Sequence, residues 1–386
     1  TQGEAYKYIP GKIKCPLRKA GKIEENNMKK IVTAIILVCM MLSMAACGGS
    51  PAVDTPPAEE SSAVESSAVE NTPAPAAEAE YKLGMGVVVS TDSSSDNNAQ
   101  VDATVATVVT DENGTIVLCR LDCAQSKMDV TGGAVEADKT FLTKRELRED
   151  YNMVKFSDAT LEWYEQAENF ETYCVGKTID EIKNLETTVT EEGHTVAVDE
   201  TLFASCSISI KDFIDCVVKA GNDEKGQTFK TADEFTLGLA AITNAADSTP
   251  ATDADPAVVK MYTEFGATVV GADGKILAAI TDCIQPVIKA DKDGKIVETS
   301  FKGTKRELGP DYGMVAYGNA IAEWDAQAQA FADYCVGKTA AEVRAIETTE
   351  NDHGYSVPAD ETLYASCTMQ ITGMMAVLAQ AADYAR

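Results

Sequence analysis

Two short segments hold the residues with the strongest claim to chemistry. "DETLFASCSISI" starts at Asp199 and "DETLYASCTMQI" at Asp360. Each places a carboxylate, a hydroxyl (Ser205, Ser366) and a thiol (Cys206, Cys367) within eight residues. A serine hydroxyl at a strand–helix junction can carry an ester, and the same aspartate and serine can simply cap and turn that junction. Two further segments, "TKREL" at Thr143 and at Thr304, carry Lys144-Arg145 and Lys305-Arg306. Paired cations suit a phosphate or a carboxylate; in so acidic a chain the expectation is local ion pairs with Glu146 and Glu307. The two histidines, His194 and His353, sit in polar loops at non-equivalent places, so they supply no shared general base. With no recurring nucleophile–base pair, no catalytic residue is expected and the reading leans away from an enzyme.

Three cysteines recur at matching positions: Cys123 with Cys283, Cys174 with Cys335, and Cys206 with Cys367. They show no CxxC or Cys/His ligand spacing, so no metal is expected. "DKDG" at Asp291 starts like a calcium loop but lacks the later ligands, and it reads as a turn. Cys119 and Cys216 stand where the other half has Ala279 and Val377. In an exported protein two such extra cysteines fit a disulfide; two small buried apolar side chains fit equally.

These residues are positioned by a duplicated unit. "TKRELREDYNM" answers to "TKRELGPDYGM", and "EWYEQAENFETYCVGKT" at Glu162 to "EWDAQAQAFADYCVGKT" at Glu323. The order is kept over a period of about 160 residues, the size of a domain rather than of a solenoid repeat. The expected organisation is therefore two tandem α+β domains, 80–225 and 233–386, each with antiparallel hairpins and two to three helices. Turns at Asn113-Gly114 and Asp273-Gly274 close the first hairpin of each half. A second short hairpin is expected around "DVTGGAVE" and "KADKDGKIVE". A helix from about Asp158 to Cys174, capped by Ser157 and ended at Gly176, carries Ala159, Trp163, Ala167, Phe170 and Cys174 on one stripe. That stripe places Trp163 and Trp324 in the core rather than on a stacking platform for a flat ligand. Thr178 with Glu181, and Thr339 with Glu342, form capping boxes. Cys206, Ile208 and Ile210 alternate as a closing strand before a last helix near Asp212.

The chain has 386 residues and a formal net charge of −28; without the residues before Cys47 the charge is −33. Such a surface repels phosphate backbones, so nucleic acid is not an expected partner. "MKKIVTAIILVCMMLSMAAC" from Met28 shows the lysines, the short apolar run and the small residues of a secretory signal. Residues 28–46 thus read as a signal peptide, and 1–27 as an upstream segment outside the native protein. Residues 47–79, rich in Ser, Pro, Ala and Glu, read as a flexible linker.

Three resemblances follow from these residues. Met44-Ala45-Ala46-Cys47 resembles a bacterial lipobox, which implies cleavage before Cys47 and lipid on that cysteine. The resemblance implies an extracytoplasmic protein anchored to the membrane. The repeated "TKxELxxDYxM…EWxxQAxxF" pattern is similar to that of a family of tandem-repeat Firmicute lipoproteins, a likeness that brings no activity. "DETLFASC" and "DETLYASC" resemble the flavinylation segment of FMN-binding domains in exported redox proteins. Aligned there, Ser205 and Ser366 fall on the residue joined to FMN and Asp199 and Asp360 on the motif's aspartate. Leu202 and Leu363 stand at its serine, and Phe203 and Tyr364 at its glycine. That resemblance implies flavin-linked electron transfer, served by a flavin transferase and redox partners. The alternative is a non-catalytic surface module that binds a small ligand or a partner protein.

Overall fold

A computed structural model describes residues 78–386. The upstream segment 1–27, the signal peptide 28–46, Cys47 and all but the end of the linker 47–79 lie outside the described residues. The fold is α+β. Its main strands are β1 (Ala79–Ser90), β2 (Asn98–Asp111), β3 (Ile116–Asp129), β4 (Gln227–Thr231), β5 (Phe235–Asn244), β6 (Tyr262–Gly271) and β7 (Ile276–Ile284). One antiparallel sheet has the order β3-β2-β1-β4 and another the order β7-β6-β5. The hairpins turn where Asn113-Gly114 and Asp273-Gly274 predict, with Gly114 and Gly274 both at φ +77°.

Period-two alternation gives each sheet two buried faces. From β2, Ala99, Val101, Ala103 and Val105 face one core, while Ala106 and Val108 face another. The first core is shared: Leu237 and Leu239 of β5, Phe265 and Ala267 of β6 and Ile280 of β7 pack into it from the other sheet. Residues 80–225 and 233–386 thus lie in one compact unit, with β3 running beside β5 and β4 beside β7. Helices cover the outer faces. Helices α1 (Trp163–Cys174) and α2 (Lys211–Gly221) lie on the first sheet, and α3 (Trp324–Cys335) and α4 (Thr372–Asp383) on the second. Phe170 and Phe331, both fully buried, anchor α1 and α3. Burying such a ring stabilises the fold by about 2–3 kcal/mol.

Glycine lets the helices lie flat on the strands. A Cβ on Gly84 would stand 1.9 Å from the Ala220 carbonyl oxygen of α2, and one on Gly238 would stand 1.8 Å from that of Ala381 in α4. Only hydrogen fits there.

Local chemistry corrects four expectations. Helix α1 begins at Trp163, not Asp158, because Glu162 caps it in a capping box with Glu165. The Ser157 hydroxyl instead donates to the Met153 carbonyl at 2.7 Å, and Ala159 lies outside the helix. Cys206–Ile210 is not a strand. The Gln166 side-chain oxygen accepts from the Ser207 and Ile208 backbone amides at 2.9 and 3.2 Å, and Gln327 does the same for Thr368 at 2.9 Å. A side chain thereby satisfies donors that a neighbouring strand would otherwise take. The second hairpin forms only in the later half, Val287–Ala290 with Ile296–Ser300; in the earlier half β3 runs on to Asp129 and ends in a 3-10 turn. Each half also has more short helical turns than two or three, among them Lys144–Leu147 and Lys305–Leu308. The capping boxes at Thr178 and Thr339 form as expected.

Candidate functional site

The repeated "TKREL…DYxM…EW" pattern assembles one small cage in each half. Thr143 and Thr304 cap the turns that carry the cations, in boxes closed by Glu146 and Glu307. Glu162 fixes the next piece: its carboxylate accepts from the Met153 and Val154 amides at 2.8 and 3.3 Å. Glu323 holds Met314 and Val315 at 2.8 and 3.2 Å. With both turns fixed, the Lys144 ammonium lies 5.0 Å from the Tyr151 ring centre and 5.4 Å from that of Trp163. Lys305 lies 5.0 and 5.2 Å from Tyr312 and Trp324. Aromatic faces attract a cation by their quadrupole, more so when water is excluded. The two tryptophans thus belong to the core on one side and meet a lysine on the other.

Each tyrosine hydroxyl points to a glutamine, Tyr151 to Gln125 Oε1 at 3.3 Å and Tyr312 to Gln285 Oε1 at 2.9 Å. Beside each lysine is a buried thiol. Burial pushes Cys123 up, and Cys283 up to about 12, so both are neutral thiols near pH 7. Burial opposes the charge on Lys144, yet the ammonium is held above the usual lysine range, with the Asp102 carboxylate among the groups that favour it. No carboxylate among the described residues lies within ion-pairing distance of either ammonium. In the earlier half the cage opens on a cavity of about 350 Å3, whose lining includes Lys127, Lys139, Phe141, Lys144 and Tyr151.

The arginine next to each lysine turns the other way. Arg145 pairs with Glu168 at 2.9 Å and with the buried Glu171, and Arg306 pairs with Asp223 at 2.9 Å. The expected ion pairs therefore form with other partners, because Glu146 and Glu307 are engaged in capping. Beneath each turn lies a buried aspartate. Asp122 Oδ1 accepts from the Cys123 and Arg145 amides at 2.7 and 3.2 Å, and Asp282 Oδ1 from Cys283 and Arg306 at 2.7 and 3.1 Å. Burial raises both, Asp282 to about 6.

That shift predicts a pH effect. Asp282 titrates near 3.8 when unfolded and near 6 when folded, so the folded state holds the extra proton between those values. The penalty for ionising it is fully present above about pH 6 and gone below about pH 4. Asp282→Asn keeps the acceptor oxygen and removes the penalty. Its stability relative to wild type should rise by up to about 3 kcal/mol between pH 4 and pH 7 in paired urea titrations. Equal differences at both pH values would show that Asp282 titrates normally.

The residues singled out in the two "DET" segments lie elsewhere. Asp199 caps the short helix Glu200–Ser205, accepting from Thr201 and Leu202 amides at 2.9 and 2.8 Å. Asp360 does the same for Thr362 and Leu363, both at 2.9 Å. Ser205 donates to the Leu202 carbonyl at 3.1 Å and Ser366 to that of Leu363 at 3.2 Å, and neither serine lines the Lys144 cavity. Cys119 and Cys216 are free, buried thiols, and Cys216 Sγ lies 3.1 Å from the Thr104 carbonyl oxygen. Among the described residues no cluster of His, Cys, Asp and Glu could hold a metal ion, and no helix is long and apolar enough to cross a membrane.

Sequence reasoning missed Asp122, Gln125 and Glu162 with their counterparts Asp282, Gln285 and Glu323. Their signal was present: each recurs at the offset of the repeat, Asp122 in the first hairpin, Gln125 just after it and Glu162 at the head of the tryptophan helix. No known family, curated protein or solved structure matches the chain.

Proposed function

We propose that the protein is a lipid-anchored, extracytoplasmic binding module that holds a small organic anion at Lys144. The observation that carries this reading is a lysine ammonium with no carboxylate at ion-pairing distance, Asp102 acting on it only from farther off, caged by two aromatic rings and facing a cavity lined also by Lys127, Lys139 and Asp150, in a chain of net charge −28. A buried cation of that kind favours an anion from outside. FMN is the first ligand to test. Its phosphate needs cations and its ring a flat apolar wall, and Lys127, Lys139 and Lys144 with Phe141 and Tyr151 offer both. The likeness of the "DET" segments to flavinylation motifs supports the same ligand, with electron transfer to a redox partner as its purpose. The lipobox and the polar linker support attachment through Cys47 to the outer face of the membrane.

Titration of the protein with FMN, riboflavin and inorganic phosphate, followed by tryptophan fluorescence, tests the reading. FMN should quench Trp163, and Lys144→Met should weaken it at least tenfold, about 1.4 kcal/mol. Covalent attachment at Ser205 and Ser366, which lie outside the Lys144 cavity, is tested separately: co-production with a flavin transferase should add FMN that Ser205→Ala and Ser366→Ala remove. A colourless protein indifferent to FMN sinks the flavin and leaves the alternative, a module for another small ligand or a partner protein. Unchanged affinity in Lys144→Met moves the ligand away from the cage.

A further inference from the structure

The repeat also places two cavities at matching positions where the halves meet. The smaller, about 220 Å3, is lined by Met85, Asp223, Asp282 and Arg306 among others. The larger, about 450 Å3, is lined by Leu239, Tyr384, Asp122 and Arg145 at the corresponding places, and by Arg120, Arg148, Glu146 and Arg386. The smaller cavity carries the chain's own carboxylate on its wall. Asp223 Oδ2 accepts from Arg306 Nη1 at 2.9 Å and from the Met85 backbone amide at 3.2 Å. In the larger cavity the sequence counterpart of Asp223 is Tyr384, whose hydroxyl is engaged by Gln380 and Glu146 at 3.0 and 3.3 Å, so the chain supplies no carboxylate at that position.

The amide donor is nevertheless kept. Met85 lies opposite Thr107 and Leu239 opposite Ala267, the same register in the two sheets. Two residues before it, Leu237 uses the outer edge of β5, its carbonyl accepting from Arg120 Nε at 3.2 Å and from the Arg386 amide at 3.3 Å. Alternate residues of a strand present their backbone groups to the same side, so the Leu239 amide faces the cavity as Met85 faces Asp223.

Arg148 supplies an independent sign. Its backbone has φ 49° and ψ −121°, a conformation suited to glycine, and its counterpart Gly309 adopts φ 49° and ψ −120°. A strained arginine thus lines the larger cavity, whereas an unstrained glycine, Gly309, takes the equivalent position in the other half. Its guanidinium rests 4.2 Å from the Tyr164 ring centre and is paired only loosely, at 3.7 Å, with the exposed Glu149. Arg120, Arg145 and Arg386 share the carboxylates of Glu168 and Glu171, Arg120 also donates to the Arg386 main-chain oxygen, and Asp122 and Glu146 line the same cavity, which leaves Arg148 as the loosely paired cation.

We propose that the larger cavity binds a small organic acid, whose carboxylate takes the place Asp223 holds in the smaller one, on the Leu239 amide and the Arg148 guanidinium. Calorimetric titration with succinate, citrate and inorganic phosphate tests this on the wild-type protein, Arg148→Gly and Tyr384→Asp. The first variant installs the glycine of the other half and relieves strain, so it folds at least as well as wild type. The second installs a competing internal carboxylate. A carboxylate probe should bind the wild type and bind each variant at least tenfold more weakly. Absence of binding to the wild type overturns the proposal, as does equal affinity in Arg148→Gly, and preference for phosphate over both acids overturns the carboxylate assignment. Should Tyr384→Asp fail to fold, Arg148→Gly alone decides.

Discussion

Gly238→Ala should lower the stability of the protein by at least about 3 kcal/mol, and Gly84→Ala by a similar amount. In each case the added methyl meets a backbone carbonyl oxygen closer than 2 Å, Ala381 for Gly238 and Ala220 for Gly84. A flexible side chain could swing aside, but a helix carbonyl can move only with its helix. Helix α4 would then lift from β5, and α2 from β1, opening the contacts of Val377, Ala381 and Ala220. Gly318 is the control, since a methyl there meets nothing within 4 Å. Urea midpoints for the three variants give the comparison. A Gly238→Ala protein within 1 kcal/mol of wild type would mean that the helix does not lie against the strand as described.

Asp223→Ala should be nearly as damaging, at about 3 kcal/mol. It strands Arg306, whose side chain is 8% exposed against 10% for Asp223, and it removes the acceptor of the Met85 amide. Breaking one side of a buried ion pair leaves a charge whose remaining contact, here the Lys225 carbonyl at 2.8 Å, does not replace the lost carboxylate. The pair as a whole contributes far less, because both charges were desolvated to form it. Arg306→Met in the Asp223→Ala background should therefore restore most of the loss. A double variant as unstable as Asp223→Ala alone would mean that the damage comes from lost packing or the orphaned amide.

Much of the local structure was legible because it depends on neighbours in sequence. Asn113-Gly114 and Thr178 with Glu181 act over two to four residues, and both formed as read. The first turn of α1 was misjudged because two residues compete as its cap. Ser157 lost to Glu162, whose carboxylate also holds the Met153 turn. Cys206, Ile208 and Ile210 looked like a strand because burial at every second residue also suits a loop pinned by Gln166. The core shared between the halves was not legible at all: alternating Ala and Val in β2 state that both faces are covered, not by what. The expectation of a local ion pair at Lys144 failed because its partners are rings supplied by segments 7 and 19 residues further along.

The shared core has a consequence for how the protein could diversify. Two identical chains meeting through an isologous contact must accept every substitution on both sides of the symmetry axis at once. A chain that carries both sides in tandem is released from that rule. Tyr384 and Asp223 can then differ, as can Arg148 and Gly309, so one junction carries an internal salt bridge beside a small cavity while the other has a wider cavity. The shared core holds the two sheets together, which leaves the wider cavity at liberty to acquire a ligand without endangering the fold.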